Sequence, residues 1–237
     1  MQPKILILAF LCFTALISCA ADREPDTQSS SWWKSKAEKM VEEQLRGRDI
    51  TDKKVLKVME QTPRHMFMPE YLKYLAYEDH PFPIGHGQTI SQPYIVALMT
   101  ELLKLNGSEN VLEIGTGSGY QAAILSKLAA QVYTIEIIPA LADEARVRLA
   151  QMGYANVRVI TGDGYKGLPQ FAPFDSIIVT AAPEEIPPAL VEQLKTGGKM
   201  VIPVGDSIQQ LMLITKTSSG IKKESIVPVR FVPMVSE

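Results

Sequence analysis

Val111-Leu112-Glu113-Ile114-Gly115-Thr116-Gly117-Ser118-Gly119-Tyr120 is the stretch from which the fold of this 237-residue chain is read. Apolar residues lead in, and three glycines alternate with small polar residues. Gln121-Ala122-Ala123-Ile124-Leu125 then begins a helical pattern. The order is strand, tight turn, helix N-terminus. Glycines in such a turn let the backbone take φ > 0 and let a ligand approach the main chain closely.

The same rhythm continues downstream. Apolar runs predict strands over 131–136, 157–161, 174–180, 199–203, 209–215 and 224–232. Helices are predicted over 139–152, with Pro139 at the start and Gly153 past the end, and over 187–194, stopped by Gly197-Gly198. Alternating strands and helices predict an α/β fold: a doubly wound, mostly parallel sheet with helices on both faces. The last two strands have no helix between them and form an antiparallel hairpin across 216–222.

The glycine turn leaves two ligand classes open, dinucleotides and S-adenosylmethionine. From Gly115 the pattern G-x-G-x-x-G fails at Tyr120; from Gly117 the looser G-x-G-x-x-A fits through Gly119 and Ala122. Glu113 points away from a dinucleotide. A carboxylate just before the turn repels a pyrophosphate and suits a ligand carrying sulfonium and ammonium groups. A ligand-free structural turn is the third reading. Glu113, Glu136 and Asp163 stand at successive strand ends, where ligands of such sheets bind. Glu136 is near the offset at which an acid grips ribose hydroxyls; the plain alternative is that each acid caps the next helix.

Upstream of the turn the chain reads as helical. Residues 32–46 place Trp33, Ala37, Met40, Val41 and Leu45 on one face, and Gly47 ends the run. Thr51 is placed to cap a second helix carrying Val55, Leu56 and Met59. Pro63-Arg64-His65-Met66-Phe67-Met68-Pro69 interrupts, and His65 reads first as a hydrogen-bonded structural histidine. A short aromatic helix is expected over 70–77. Prolines and glycines make 79–93 a structured loop rather than a regular element. Ser91 precedes Gln92-Pro93 and a helix over 94–105. It reads either as an ordinary N-cap or as a hydroxyl placed to hold a carboxylate at a helix N-terminus.

A net charge of −2 gives no case for nucleic acid binding. Residues 1–19 read as a lipoprotein-type signal peptide. Lys4 is the positive start and 5–17 is an apolar run shorter than the about 20 residues of a membrane span. Leu16-Ile17-Ser18-Cys19 resembles a bacterial lipobox, with Cys19 the lipidation candidate. Residues 20–31 are a polar tether. The other cysteine, Cys12, lies in the leader, so no disulfide framework or cysteine metal site is expected downstream. A single domain over 32–237 remains, with a helical part 32–105 and a sheet core 106–237. The membrane is reached only through the lipidated N-terminus.

From about Met40 onward the chain resembles the protein-L-isoaspartate O-methyltransferases. The resemblance is carried by the 63–69 segment and by Pro83-Ile84-Gly85-His86-Gly87-Gln88-Thr89-Ile90-Ser91-Gln92-Pro93. The glycine stretch 111–120, Asp175-Ser176-Ile177-Ile178-Val179-Thr180-Ala181-Ala182 and Val229-Arg230-Phe231-Val232-Pro233 add to it. It implies a Rossmann-like class I methyltransferase fold and a protein-repair reaction. The α-carboxylate of L-isoaspartyl residues, and less well of D-aspartyl residues, would be methylated with S-adenosylmethionine, with no metal. It implies Ser91 as the catalytic-site residue orienting the isoaspartyl carboxylate. Gly115, Gly117 and Gly119 would pass under the cofactor's amino-acid part, after Glu113. Glu136 would bind the ribose, Asp163 and Gly164 would meet the adenine edge, and Thr89 and Ile90 would close the pocket. Substrates would be damaged proteins and peptides, and a monomer is expected. The family's usual members are cytoplasmic without such a leader, so the leader implies a cell-envelope, periplasmic-side location and the family a cytoplasmic one. A dinucleotide-dependent oxidoreductase and a non-catalytic envelope binding protein are the competing functions.

Overall fold

The computed structural model describes residues 30–236; Cys19, the leader and the tether up to residue 29 lie outside them. Helix α1 (Ser30–Met40) begins before Trp32 and runs on as a π-helical turn, Val41–Arg46, ending at Gly47. Helix α2 (Lys53–Gln61) buries Val55, Leu56, Val58 and Met59, each contributing roughly 1.5–3 kcal/mol on leaving water. Its cap is Asp52, not Thr51: Asp52 Oδ1 accepts the N–H groups of Lys54 and Val55 at 2.8 and 3.4 Å. Thr51 instead donates its hydroxyl to the buried Glu101 carboxylate at 2.9 Å, a group that needs donors where water is excluded.

Residues Arg64–Phe67 and Glu70–Leu75 are 3-10 turns. The second replaces the helix expected over 70–77; none of its residues is buried, so no packing extends it. The region expected as a loop contains a short antiparallel hairpin, β1 (Phe82–Gly85) and β2 (Gln88–Ile90). Its tip, Gly85-His86-Gly87, has φ of 94°, 52° and 71°, a left-handed path that the two glycines permit. Pro83 masks the strand in the sequence, yet the edge position tolerates it.

Helix α3 (Pro93–Leu103) follows, and then the sheet core. Its elements are β3 (Asn110–Ile114), α4 (Tyr120–Ser126), β4 (Gln131–Glu136), α5 (Pro139–Gln151), β5 (Val157–Thr161) and β6 (Phe174–Val179). It closes with α6 (Pro188–Gln193), β7 (Leu194–Val204), β8 (Gln209–Thr217) and β9 (Gly220–Val229). The seven strands lie in the order β5-β4-β3-β6-β7-β8-β9. Pairing is parallel from β5 to β7 and antiparallel from β7 to β9. Gly197-Gly198 does not stop α6. It lies inside β7, where a Cβ on Gly198 would sit 2.7 Å from the Asp175 carbonyl oxygen. The final hairpin turns tighter than expected, with Thr217 opposite Gly220.

Both faces of the sheet are covered. On one, Val111, Ile178 and Val201 pack with the N-terminal helices, α4 and α5. On the other, Leu112, Ile114, Ile177 and Met200 pack with Leu190 of α6, Phe174 and Leu168. From β3 the chain winds outward through β4 and β5, then returns to β6 on the other side of β3. The direction of winding therefore reverses between β3 and β6, the place where such sheets open a crevice at their carboxyl ends.

Candidate active site

Gly115 and Thr180 meet at that crevice. Each is the first residue past its strand, β3 or β6, and the Thr180 hydroxyl donates to the Gly115 carbonyl at 2.7 Å. A Cβ on Gly115 would lie 2.5 Å from Thr180 Oγ1, and the φ of 93° is itself unfavourable for other residues. The crevice continues as a cleft lined by Gln88, Thr89, Gly117, Glu136, Ile137, Ile138, Gly164, Ala181 and residues 232–235. The C-terminal segment is tied there by the Met234 N–H to the Ala182 carbonyl, at 2.8 Å.

A second, adjoining pocket shares Thr89, Gly115, Gly117 and Thr180 with the cleft. It is lined further by Ile90, Ser91, Thr116, Ser118, Tyr120 and Gln121. Ser91 is not the cap of α3. The N-cap position is Gln92, without a side-chain bond, and the first free N–H, that of Tyr94, is taken by Asp79 Oδ1 at 2.9 Å. Asp79 is itself held by Arg48 at 3.0 Å, and that guanidinium lies 3.4 Å over the Tyr94 ring. Among the described residues the Ser91 hydroxyl has no hydrogen-bond partner, so it is free to face a ligand.

Glu136, at the end of β4, accepts the Gly117 N–H at 2.8 Å and the Ile138 N–H at 3.1 Å, one on each oxygen. It thus fastens the glycine turn and keeps lone pairs for hydroxyl donors. Glu113 is buried outright, 0% exposed, and neither of its oxygens has a hydrogen-bond partner. Burial pushes this carboxyl up to about 8; the Thr134 hydroxyl opposes the rise and the Glu136 charge adds to it. Glu113 lines neither pocket; it lies one residue beneath the turn. Gly119 is the N-cap of α4, and its absent side chain makes room for Leu149 and Ala145 of α5 rather than for a ligand. Asp163 Oδ1 accepts the Tyr165 N–H at 2.9 Å and the carboxylate pairs with Lys166; Gly164, not Asp163, lines the cleft. His65 is structural: buried, 2.8 Å from the Tyr77 hydroxyl, and pushed down to about 4 by burial with the Lys73 charge adding.

The structure therefore brings together Thr89, Ile90, Ser91, Gly115, Gly117, Glu136 and Gly164, and sets Glu113, Gly119 and Asp163 behind them. Thr180 and the 232–235 segment are additions. Thr180 occupies a strand end like the acids do, but a search for charged strand ends passes over a hydroxyl.

The ligand class follows from the polar groups. The N–H groups of Gly115 and Thr116 go to the Ile135 carbonyl, that of Gly119 to Thr116, and that of Gly117 to Glu136. The turn has little left with which to cradle a pyrophosphate, and no Lys, Arg or His lines either pocket. An acidic, base-free cleft at the switch point suits a cationic cofactor with a ribose. The fold and site define an S-adenosylmethionine-dependent class I methyltransferase. Among the described residues no cluster of His, Cys, Asp or Glu is placed to hold a metal ion.

Comparison with known proteins narrows the class. The family model described as protein-L-isoaspartate(D-aspartate) O-methyltransferase matches residues 35–237, and the chain belongs to that family. A protein-L-isoaspartate O-methyltransferase of Opitutus terrae is 49% identical over 239 residues, covering 100% of this chain and 99% of its own. One from Gloeobacter violaceus is 52% identical over 200 residues, covering 84% of this chain and 98% of its own. Among solved structures, a protein-L-isoaspartate O-methyltransferase superposes with a TM-score of 0.76 at 29% identity, over 84% of this chain and 65% of that one. Another, from Plasmodium falciparum and in complex with S-adenosyl-L-homocysteine, gives 0.75 at 27% identity, over 85% and 99%.

Proposed function

We propose that this chain transfers a methyl group from S-adenosylmethionine to the free α-carboxylate of L-isoaspartyl residues, and less well of D-aspartyl residues, in damaged proteins and peptides. The observation that carries this reading is the unpartnered Ser91 hydroxyl in a pocket that opens onto the cofactor cleft across Thr89, Gly115, Gly117 and Thr180. Gly115, Gly117, Glu136, Gly164 and Thr180 would hold the cofactor, with Glu136 on the ribose hydroxyls. When bound, the cofactor supplies a methyl group on a sulfonium that leaves as a neutral thioether.

The nucleophile is a carboxylate with a pKa of about 4, ionised near neutrality, so the chain needs no general base. This accords with pockets that contain no histidine. The work of the residues is alignment and exclusion of water. Ser91 donates to one carboxylate oxygen and leaves the other directed at the cleft. Ile137, Ile138 and Met234 close the apolar side. Without the enzyme, the backbone nitrogen that follows the damaged residue then attacks the methyl ester and expels methanol to give a succinimide, and hydrolysis of that ring returns part of it to normal aspartate.

The test is methyl transfer to an isoaspartyl peptide with the matched aspartyl peptide as control. Labelling of the first alone is expected. Equal labelling of both refutes repair, and labelling of neither turns the reading towards a binding protein.

We also propose a lipoprotein in the cell envelope, attached through Cys19 and monomeric. Its support is the order Lys4, an apolar run, Leu16-Ile17-Ser18-Cys19, then a polar tether. More than one acyl chain makes such an anchor stable. No helix among the described residues is long and apolar enough to cross a membrane. Fractionation of the native host is decisive: full-length protein that is soluble, cytoplasmic and indifferent to Cys19→Ser restores the family's usual location.

A further inference from the structure

Arg64 is a wholly buried cationic side chain outside the cleft, 0% exposed. No carboxylate lies within ion-pair distance of it among the described residues, and its Nη1 has no hydrogen-bond partner. Burial lowers its pKa, with the Tyr120 phenol acting in the opposite sense. A wholly buried guanidinium without a carboxylate costs stability, and an apolar residue of similar volume fills the same space more cheaply. The contacts it does make are specific. Nε donates to the Ala76 carbonyl at 2.8 Å, and Nη2 donates to the carbonyl of Ser91 itself at 2.7 Å. The guanidinium carbon sits 4.8 Å from the centre of the Tyr120 ring. Tyr120 opens α4 directly after the glycine turn.

We infer that Arg64 is a positioning residue: it sets Ser91 against the cofactor turn, by clamping the Ser91 peptide from one side and resting on Tyr120 from the other. Ser91 needs such a clamp because its side chain makes no bond among the described residues and the cap of α3 is provided by Asp79. One planar group spans all three contacts. A lysine gathers its donors on one nitrogen and has no flat face, so it does not reproduce the two separated donors together with the face against Tyr120. The reaction depends on alignment of oxygen, methyl and sulfur, so a small displacement of Ser91 is felt in the rate rather than in cofactor affinity.

The inference rests on the methyltransferase reading, and the wild-type protein assayed in parallel separates the two: an inactive wild type defeats that reading, not the role of Arg64. The experiment is a double-mutant cycle of Arg64→Lys and Ser91→Ala in the full-length protein. It follows kcat and KM with an isoaspartyl peptide, the Kd for S-adenosylhomocysteine by calorimetry, and the melting temperature. Arg64→Lys is expected to lower kcat/KM at least tenfold and to leave the S-adenosylhomocysteine Kd within about threefold. In the Ser91→Ala background the same change is expected to cost less than threefold, because the group it positions is gone. Full additivity, or an unchanged kcat/KM per folded molecule with only a lowered melting temperature, overturns the inference. If Arg64→Lys does not fold, Tyr120→Leu removes the ring beneath the guanidinium. The same non-additivity with Ser91→Ala is then required, and additivity refutes it.

Discussion

Ser91→Ala separates a structural serine from a functional one, because the structure assigns the two roles to different residues. A serine that caps a helix contributes about 1 kcal/mol, with a range of about 0.5–2. Here the N–H that such a cap would satisfy is bonded to Asp79 at 2.9 Å. Ser91→Ala therefore removes no hydrogen bond seen among the described residues, and its effect on stability should stay within about 0.5 kcal/mol, as at other sites away from packing and caps. Asp79→Ala should cost about 1–2 kcal/mol. It loses the cap, while the Arg48 ion pair adds little because that arginine is 47% exposed.

The order reverses for activity. One hydrogen bond to an ionised carboxylate is worth about 1.5–3 kcal/mol, so Ser91→Ala should reduce kcat/KM roughly 10- to 150-fold. Urea unfolding gives the stabilities, initial rates with an isoaspartyl peptide give kcat/KM, and titration with S-adenosylhomocysteine checks that the cofactor cleft is intact. If Ser91→Ala proves as destabilising as Asp79→Ala while each folded molecule turns over normally, the serine is structural and the assignment of the pocket fails.

Glu136→Ala strips the acceptor from the Gly117 and Ile138 N–H groups and from the ribose, and should weaken S-adenosylhomocysteine binding at least about tenfold by calorimetry; unchanged affinity would remove Glu136 from the site. Gly115→Ala places a Cβ 2.5 Å from Thr180 Oγ1 at a φ of 93°, so it should lower stability by about 1–3 kcal/mol and abolish cofactor binding; a variant that melts and binds like wild type refutes the close packing. The Glu113 carboxyl is raised from 4.5 to about 8 on folding, so the folded state holds a proton that the unfolded state releases between those values. Its contribution is fully present below about 4.5 and is lost as pH rises towards about 8. Glu113→Gln should flatten that part of the stability–pH profile, and superimposable profiles would contradict the burial of an unpartnered carboxyl.

Local sequence pattern and tertiary contact control different features of this chain. The bounds of β4 and β5 are those expected, Gln131–Glu136 and Val157–Thr161, because a short β-branched run between turn residues has its ends set locally. The glycine turn, the parallel order and the C-terminal antiparallel pairing are legible for the same reason: each depends on periodicity and backbone preference within a few residues. Gly115, Gly117, Glu136 and Gly164 are legible because residue type at a strand end restricts what the position can do, whereas Ser91 reads by residue type equally as a cap and enters the site through the family resemblance.

Partnership is different, because it is decided by which segments the fold returns to one place. Thr51 and Ser91 both have the right side chain for a cap, but Asp52 does that work for α2, and Asp79, 15 residues before Tyr94, does it for α3. The hairpin over 82–90 forms despite Pro83 because its two short edges have each other to pair with. Thr180 reaches the site from 65 residues beyond Gly115, and Arg64 finds its acceptors 12 and 27 residues away. The amino-acid sequence by itself determined the strands, the glycine turn and the acids and hydroxyl available to a methyltransferase site. Only the tertiary structure decided which carboxylate caps, which one grips the turn, which one is buried without a partner, and which arginine holds the serine. A hydrogen bond or a buried charge depends on atoms a few ångströms apart in space, and the local pattern of a chain does not specify them.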